Sequence, residues 1–507
     1  MSLSELQRLP PFRAIPLAIR ADASANIGGG HVMRCLALAQ RWRDLGGEVS
    51  LLTGACPEPL RERYRQEGCE IVELTSAGGT DADRQQTARA LRAIGPAWTV
   101  LDGYAWDTAY QRALQEAGHR LMVLDDFGHC DRWAADVVLN QNLLPIPPHH
   151  PPRDQDHPLR SLVGPRYALL RREFLNQPRR DRAAAGQPRS KLFVTFGGSD
   201  PVDATTRVMQ QLVGWTKRRL EIEVAIGAAN PRASRLRQIG ADGLHAITWK
   251  ENIKAMPPRY DWADGLIGAA GSSCWEWMFF GLPAFVTPIA ANQQAIYDEL
   301  IRRRWATGFP DAERLDTPAA GAALEAFLEG HEPQGAEGPN PIDGWGAARV
   351  ASALSGWPWL RPATTDDCRL YFDWANEPAV RQHSVRSETI RWEDHQRWFA
   401  DRLASPEAFL WVGFDAADQP VGQVRFELTP EGTLDIGFSV DPSLRGQGKG
   451  RQLLRLALHT MRQQTSRPIV AKVKRDNLAS RRLFETLPFD PVAGPDPELV
   501  YFAMSTS

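Results

Sequence analysis

Leu17-Ala-Ile-Arg-Ala-Asp-Ala-Ser-Ala-Asn-Ile27-Gly-Gly-Gly-His31-Val-Met-Arg-Cys35 is the stretch whose reading decides the fold. Residues 17–20 form a short apolar run that predicts a strand. Residues 32–45 carry a helical pattern that stops at Gly46-Gly47. Glycines between a strand and a helix permit positive φ and close approach of backbone to a ligand. The helix N-terminus that follows offers unpaired N–H groups to an anion. His31 is the first polar side chain after the glycines. It stands at the carboxyl end of a strand, where open α/β sheets place their ligands, and imidazole exchanges protons near neutral pH. The same residues also read as a tight strand-to-helix turn with one incidental histidine.

Working outward, the alternation continues. Residues 49–52, 71–74, 99–101, 121–124 and 137–139 predict further strands. Continuous apolar strands separated by helices indicate a parallel sheet covered on both faces. A Pro-rich break at residues 145–152 and an Arg/Ala/Pro-rich one at 177–189 interrupt the pattern. It resumes with strands at 192–196, 222–226, 246–248, 265–267 and 284–286. Near Trp357-Pro-Trp-Leu-Arg-Pro362 the pattern changes to helices followed by alternating strands at 409–414, 421–428 and 434–440. A glycine-rich loop, a helix at 451–462, a strand at 469–473 and a final helix come next. The expectation is two Rossmann-like α/β domains, residues 1–165 and 166–356, and an α+β domain, residues 357–507, with a mostly antiparallel sheet.

Composition agrees with that scale. The chain has 507 residues, and roughly 150 residues per domain suggests about three. Hydrophobic residues at 43% and charged residues at 24% exclude wholesale disorder. Lys+Arg of 59 against Asp+Glu of 61 leaves a net charge of −2, which argues against a global field for nucleic acid or membrane. No apolar run approaches the roughly 20 residues of a membrane span, and the first 16 residues lack a signal-peptide core. Six scattered cysteines without a C-x-x-C form neither a disulfide framework nor a zinc site. A reducing, cytoplasmic setting is expected, with no metal. His149-His150 with Asp154, Asp156 and His157 lack regular ligand spacing and read as a solvated loop. Asp126-Phe-Gly128 copies a kinase string without the other kinase motifs.

The second half repeats the strand-and-glycine device at Thr195-Phe-Gly-Gly-Ser-Asp-Pro201 and at Gly271-Ser-Ser-Cys-Trp-Glu276, with Asn292-Gln293 beyond. Such turns fit a nucleotide site, in which a helix end receives a diphosphate and a carboxylate takes ribose hydroxyls. Taken together, Asp22-Ala-Ser, Ile27 to Cys35, Leu124-Asp-Asp126, Tyr167-Ala-Leu-Leu-Arg171, Phe196-Gly-Gly-Ser-Asp200, Ala270 to Glu276 and Asn292-Gln293 resemble one family. It is the UDP-2,4-diacetamido-2,4,6-trideoxy-β-L-altropyranose hydrolase of pseudaminic acid biosynthesis (PseG-like), over about residues 15–355. The resemblance implies a glycosyltransferase-B fold and metal-independent release of UDP with water as nucleophile. By this match His31 is the catalytic histidine, orienting or deprotonating the water. Asn292 is the active-site Asn, and Tyr104, in Leu101-Asp-Gly-Tyr104, the active-site Tyr. Glu276 resembles the carboxylate that holds the UDP ribose. Gly197, Gly198 and Ser199, with Gly271, Ser272 and Ser273, form the UDP-binding turns.

In the third domain, Asp435-Ile-Gly-Phe-Ser-Val-Asp-Pro-Ser-Leu-Arg445-Gly-Gln-Gly-Lys-Gly450 reads as strand, loop and helix. Its Arg445 to Gly450 segment fits R-x-x-G-x-G, whose alternate glycines let successive N–H groups face one anion. With Asn477-Leu-Ala-Ser-Arg-Arg-Leu-Phe484, this resembles the GNAT acetyltransferases. Trp374-Ala-Asn-Glu-Pro378, His395 and Trp398 resemble the sugar-nucleotide N-acetyltransferases of the same pathway (PseH-like). The resemblance implies acetyl-CoA as co-substrate, held by Ser439, Val440, Arg445, Gly446, Gln447, Gly448, Lys449, Gly450, Asn477 and Phe484. It further implies direct attack of a UDP-sugar amine on the thioester, with a backbone N–H near Ser439 and Val440 polarising the carbonyl. The family's general-acid Tyr is Phe484 here, and a usual Gly is Pro488; Tyr501 is a candidate substitute. Phe484→Tyr is therefore expected to raise the acetyl-transfer rate at low pH. Glu427 and Asp435 lie on the strands before the loop, where solvated strand residues are the ordinary reading. Two further readings stay open: a glycosyltransferase that needs an acceptor, and a non-catalytic acetyl-CoA-binding domain.

Overall fold

The computed structural model describes residues 15–504 apart from 25–26, 127, 144–158, 181, 183–185, 199, 228–229, 241–242, 252, 254 and 332–337. Ser199 and the His149, His150, Asp154, Asp156 and His157 group lie outside the described residues. By their contacts the described residues form two compact units. One holds 16–41 and 49–347, and the other holds 15, 42–48 and 348–504.

The first unit begins with strands β1 (Leu17–Ala21), β2 (Val49–Thr53), β3 (Glu70–Glu73), β4 (Trp98–Asp102), β5 (Arg120–Leu124), β6 (Val137–Asn140) and β7 (Arg160–Val163). All pair in parallel, in the order β3-β2-β1-β4-β5-β6-β7. β1, β2 and β4 are buried along their whole length, as strands covered by helices on both faces must be. β7 escaped the sequence reading because Arg160-Ser-Leu-Val163 is an edge strand with one fully buried residue. The strand order reverses between β1 and β4. That switch point opens a crevice at the carboxyl ends of the two strands.

The helix after β1 runs Gly30–Asp44, starting earlier than the apolar pattern suggests, so His31 occupies its first turn. Val32, Cys35, Leu36, Ala39 and Trp42 bury its inner face at helical spacing. β1 also carries a buried cation. Arg20 is fully buried, with Nη1 2.7 Å from Asp22 and Nη2 2.9 Å from Asp83, and its guanidinium lies over Trp106. Loss of Asp83 would leave Arg20 paired with Asp22 alone and take the acceptor from Gly79 N and Trp106 Nε1. Asp83→Ala is accordingly expected to cost about 1–3 kcal/mol, read as a lower midpoint of the first thermal unfolding transition.

The same unit contains a second parallel sheet built from β8 (Lys191–Thr195), β9 (Glu221–Ile226), β10 (Ala246–Glu251), β11 (Gly265–Ala269), β12 (Ala284–Thr287) and β13 (Thr307–Gly308). Its order, β10-β9-β8-β11-β12-β13, places its own switch point between β8 and β11. The turns Gly197-Gly198 and Gly271-Ser272 follow those two strands. The fold class read from the sequence, a pair of Rossmann-like sheets, is what the pairing shows.

The second unit holds β14 (Trp359–Pro362), β15 (Ala408–Phe414), β16 (Pro420–Leu428), β17 (Leu434–Val440), β18 (Ile469–Lys474), β19 (Asp490–Val492) and β20 (Leu499–Met504), in the order β14-β15-β16-β17-β18-β20-β19. Trp357 to Pro362, where the sequence pattern changes, contains the edge strand β14. Every pair is antiparallel except β17 with β18. Those two join only at Leu434↔Ile469 and Asp435↔Val470. Beyond Asp435 they part, so the β17 backbone from Ile436 to Val440 has no ladder on its β18 side.

Candidate active sites

A cavity of about 260 Å³ brings together residues from the two parallel sheets. From the first come His31 and Tyr104, which follow β1 and β4 at the switch point. From the second come Gly271 and Ser272, after β11, and Asn292, in the 3-10 turn Ala291–Gln293. Five residues singled out in the sequence therefore line one space. Gly197, Gly198, Ser273 and Glu276 do not line it.

His31 Nδ1 lies 2.7 Å from Asp102 Oδ1. Asp102 is fully buried at the end of β4, where it pairs with Ala21 of β1. Arg34, one turn beyond His31, grips the same carboxylate twice, Nε to Oδ2 and Nη2 to Oδ1, both at 2.6 Å. Cys35 Sγ donates a further bond to Oδ2 at 3.3 Å. Burial alone would raise the Asp102 pKa, but the charge and bonds of Arg34, with the His31 bond, hold it well below the carboxylate range. Asp102 is thus an anion facing Nδ1. That carboxylate accepts Nδ1–H of His31 and orients the ring, with Nε2 as the remaining nitrogen.

A second carboxylate, Asp126, follows β5 and lines the cavity. Arg34 Nη1 donates to both of its oxygens at 2.9 and 3.0 Å, and Asn142 Nδ2 donates to Oδ1 at 3.2 Å. The Tyr104 hydroxyl donates to Oδ2 at 3.2 Å. Burial and the neighbouring Asp126 push the Tyr104 phenol pKa up, so the hydroxyl stays neutral. The His31 and Tyr104 rings meet edge to face, 5.0 Å between centroids.

Asp102 and Arg34 were quoted inside motifs but given no role, and Asp126 was quoted as part of a motif and of the discounted kinase string. The signal for Asp102 was available. It is a carboxylate at the carboxyl end of the strand that neighbours β1, but that neighbourhood is a fact of sheet order, which a sequence does not print.

Glu276 sits in the first turn of the helix Cys274–Phe279. Arg171 Nη2 and the Tyr260 hydroxyl each donate to it at 3.0 Å. Burial raises its pKa against the pull of Arg171. Gly197 has φ +78°, and a Cβ on Gly197 or Gly198 would meet open space, as an approaching ligand needs.

In the second unit the loop after β17 carries Gly446 and Gly448, both at φ +75°, with nothing within 4 Å of an added Cβ. Gly448 is the cap residue of the helix Lys449–Gln464. Gln447 Nε2 donates to Ser443 O at 2.9 Å, and Arg445 reaches Glu377 at 2.8 Å. Gly450 packs against Val440, and Ser439 Oγ accepts from Gln423 at 3.1 Å. Asn477 caps the helix Leu478–Glu485 by accepting from Ser480 N. Phe484 is a core residue, 2% exposed and packed among Phe438, Phe489 and Phe502. Glu427 is paired with Arg425 and Arg402, and Asp435 with Lys472 at 2.8 Å, so neither is an isolated base. Tyr501 is nearly buried on β20, across from Lys472. His395 is buried and bonded to Cys368 O at 3.1 Å, while Trp398 lies beneath Arg425.

No helix among the described residues is long and apolar enough to cross a membrane. Residues 359–490 match the acetyltransferase (GNAT) domain family. An uncharacterized protein of Methanocaldococcus jannaschii is 22% identical over 486 residues, covering 93% of this chain and 96% of the relative. The UDP-2,4-diacetamido-2,4,6-trideoxy-beta-L-altropyranose hydrolase of Campylobacter jejuni is 23% identical over 233 residues, 43% of this chain and 72% of that enzyme. Among solved structures, Acinetobacter baumannii MurG superposes with TM-score 0.44 at 15% identity, covering 68% of this chain and 99% of its own. Vibrio cholerae spermidine N-acetyltransferase in complex with CoA and spermine superposes with TM-score 0.27 at 16% identity, covering 30% of this chain and 95% of its own.

Proposed function

We propose that the chain couples two successive reactions on one UDP-sugar. Residues 357–507 acetylate the 4-amino group of a UDP-4-amino-4,6-dideoxy-N-acetyl-altrosamine. Residues 1–165 and 166–356 then hydrolyse the product, UDP-2,4-diacetamido-2,4,6-trideoxy-β-L-altropyranose. The observation that carries the hydrolytic half is the Asp102–His31 pair on a cavity shared with the Gly271-Ser272 turn. His31 Nε2 takes a proton from water, the water oxygen attacks the anomeric carbon, and UDP leaves with the electrons of its C–O bond. Asn292 and Tyr104 orient the sugar. Gly197, Gly198, Ser199, Gly271, Ser272 and Ser273 receive the diphosphate and uridine. Glu276, already held by Arg171 and Tyr260, keeps lone pairs for ribose hydroxyls. The similarity to the Campylobacter hydrolase supports this reading.

For the acetyl transfer, the match to the GNAT family and the open loop at Arg445 to Gly450 support acetyl-CoA as donor. Its diphosphate would rest on the N–H groups of Gly446 to Gly450 at the helix end. The unladdered β17 edge near Ser439 and Val440 supplies the N–H that polarises the thioester carbonyl. The neutral sugar amine attacks that carbon, the C–S bond breaks, CoA leaves as a thiolate, whose thiol pKa of about 8.5 permits departure without an acid, and the surplus proton on nitrogen passes to solvent. That suits a site where Phe484 replaces the usual Tyr. Gly448→Val should raise the KM for acetyl-CoA at least about tenfold, because a β-branched residue at positive φ is strained. UDP release should be unchanged in the same variant.

The test is one incubation of the full chain with the UDP-4-amino sugar and acetyl-CoA, resolved by mass spectrometry. CoA, UDP and free diacetamido sugar in equal amounts support both halves. UDP without CoA, or neither product, overturns the coupled scheme.

A further inference from the structure

Behind Tyr104 stands a second histidine–aspartate pair that the proposed hydrolysis does not use. Asp125 follows β5 and is fully buried. Its Oδ1 accepts from Gly128 N at 2.7 Å, and its Oδ2 accepts from Trp133 Nε1 at 2.8 Å. His129 Nδ1 lies 3.1 Å from Oδ1. Burial opposes ionisation of Asp125, yet the His129 contact and these donors hold its pKa down to about 2. The His129 side chain is 6% exposed, and neither ring nitrogen makes a hydrogen bond among the described residues, so packing holds the ring. Its ring meets the Tyr104 ring edge to face at 5.8 Å, interplanar angle 65°. The other contact of Tyr104 with an imidazole is His31, at 5.0 Å and 84°. Tyr104 therefore stands between two imidazoles, His31 hydrogen-bonded to Asp102 and His129 packed beside Asp125, while its hydroxyl is tied to Asp126.

We propose that His129 is a positioning residue: its packed ring braces Tyr104 so that the phenol stays at the cavity beside His31. The inference rests on the hydrolase reading, and it adds a residue that acts through Tyr104 without touching the substrate. His129 is absent from the residues lining the cavity, whereas His31, Tyr104 and Asp126 are present. Because the proton of Tyr104 is committed to Asp126, the braced oxygen presents lone pairs. It would accept a bond from an O–H or N–H of the sugar. A brace made by ring packing differs from one made by imidazole chemistry in a testable way, since phenylalanine preserves the first and abolishes the second.

The experiment compares wild type, His129→Ala and His129→Phe in the full chain. kcat and KM for UDP release are measured on UDP-2,4-diacetamido-2,4,6-trideoxy-β-L-altropyranose, with a crystal structure of each variant. The expected result is a fall in kcat/KM of about 10²-fold for His129→Ala, the scale of a misplaced orienting group. Tyr104 should be displaced in that crystal structure, and His129→Phe should recover most of the loss. An unchanged His129→Ala overturns the proposal. So does a His129→Phe as inactive as His129→Ala with Tyr104 unmoved. Should His129→Ala fail to fold, His129→Phe carries the test: retained release supports the brace and lost release refutes it. Absence of UDP release from the wild type defeats the hydrolase reading instead. The pose of Tyr104 in the variant crystals then still decides whether His129 holds it.

Discussion

His31→Asn is expected to abolish UDP release while acetyl transfer from acetyl-CoA continues at the wild-type rate. Asparagine can fill much of the imidazole volume and can still face Asp102, but its amide cannot take a proton from water. General-base catalysis contributes about 10²–10⁴-fold, so the loss should span that range or more. The acetyl-transfer half is expected to be spared because its loop, Arg445 to Gly450, belongs to the other compact unit. Release of UDP and of CoA are read separately in the same sample. Loss of both would mean that the two activities are not separate modules.

Asp102→Asn should lower kcat for UDP release by about 10³–10⁴-fold with KM little changed, the scale of a wrong histidine tautomer. Asp102 is fully buried and does not line the cavity, so it acts on substrate only through His31. An asparagine amide facing Nδ1 would donate rather than accept and would drive the imidazole proton to Nε2, the atom that must act as base. Arg34 loses one of its two ion pairs in the same variant and keeps that with Asp126, so thermal unfolding must accompany the kinetics. A folded variant whose kcat stays within tenfold of wild type would remove Asp102 from the account.

How much of this was legible beforehand depended on whether a signal was local. β1, the glycine turn and His31 were readable together because a strand, a turn and a helix start follow one another in the chain. β8 with Gly197-Gly198 and β11 with Gly271-Ser272 were readable for the same reason. Asp102 and Asp126 were not, since their importance comes from the order β1-β4-β5, which joins residues some 70 and 90 positions from His31 and Arg34. β7 and β14 were missed because edge strands need not be continuously apolar, and Arg160-Ser-Leu-Val163 buries only one side chain fully. The parting of β17 from β18 was equally invisible. Both stretches read simply as strands, and only their pairing at two positions shows that the edge near Ser439 and Val440 is open.

The departure at Phe484 gains meaning from the structure. Its ring is a core element stacked on Phe502 at 5.6 Å. Phe484→Tyr would place a hydroxyl in that buried cluster, and an unbonded hydroxyl there costs about 1–3 kcal/mol. The expected rise in acetyl-transfer rate at low pH should therefore come with a lower melting temperature. A rate at low pH equal to that of wild type would show that the missing acid does not limit the reaction.

The central claim is that water, rather than an acceptor molecule, meets the sugar at His31. It is tested most directly by incubating the full chain with UDP-2,4-diacetamido-2,4,6-trideoxy-β-L-altropyranose alone and quantifying UDP and free sugar. Stoichiometric free sugar with no added acceptor is the predicted result; UDP release that appears only when an acceptor is supplied would contradict it.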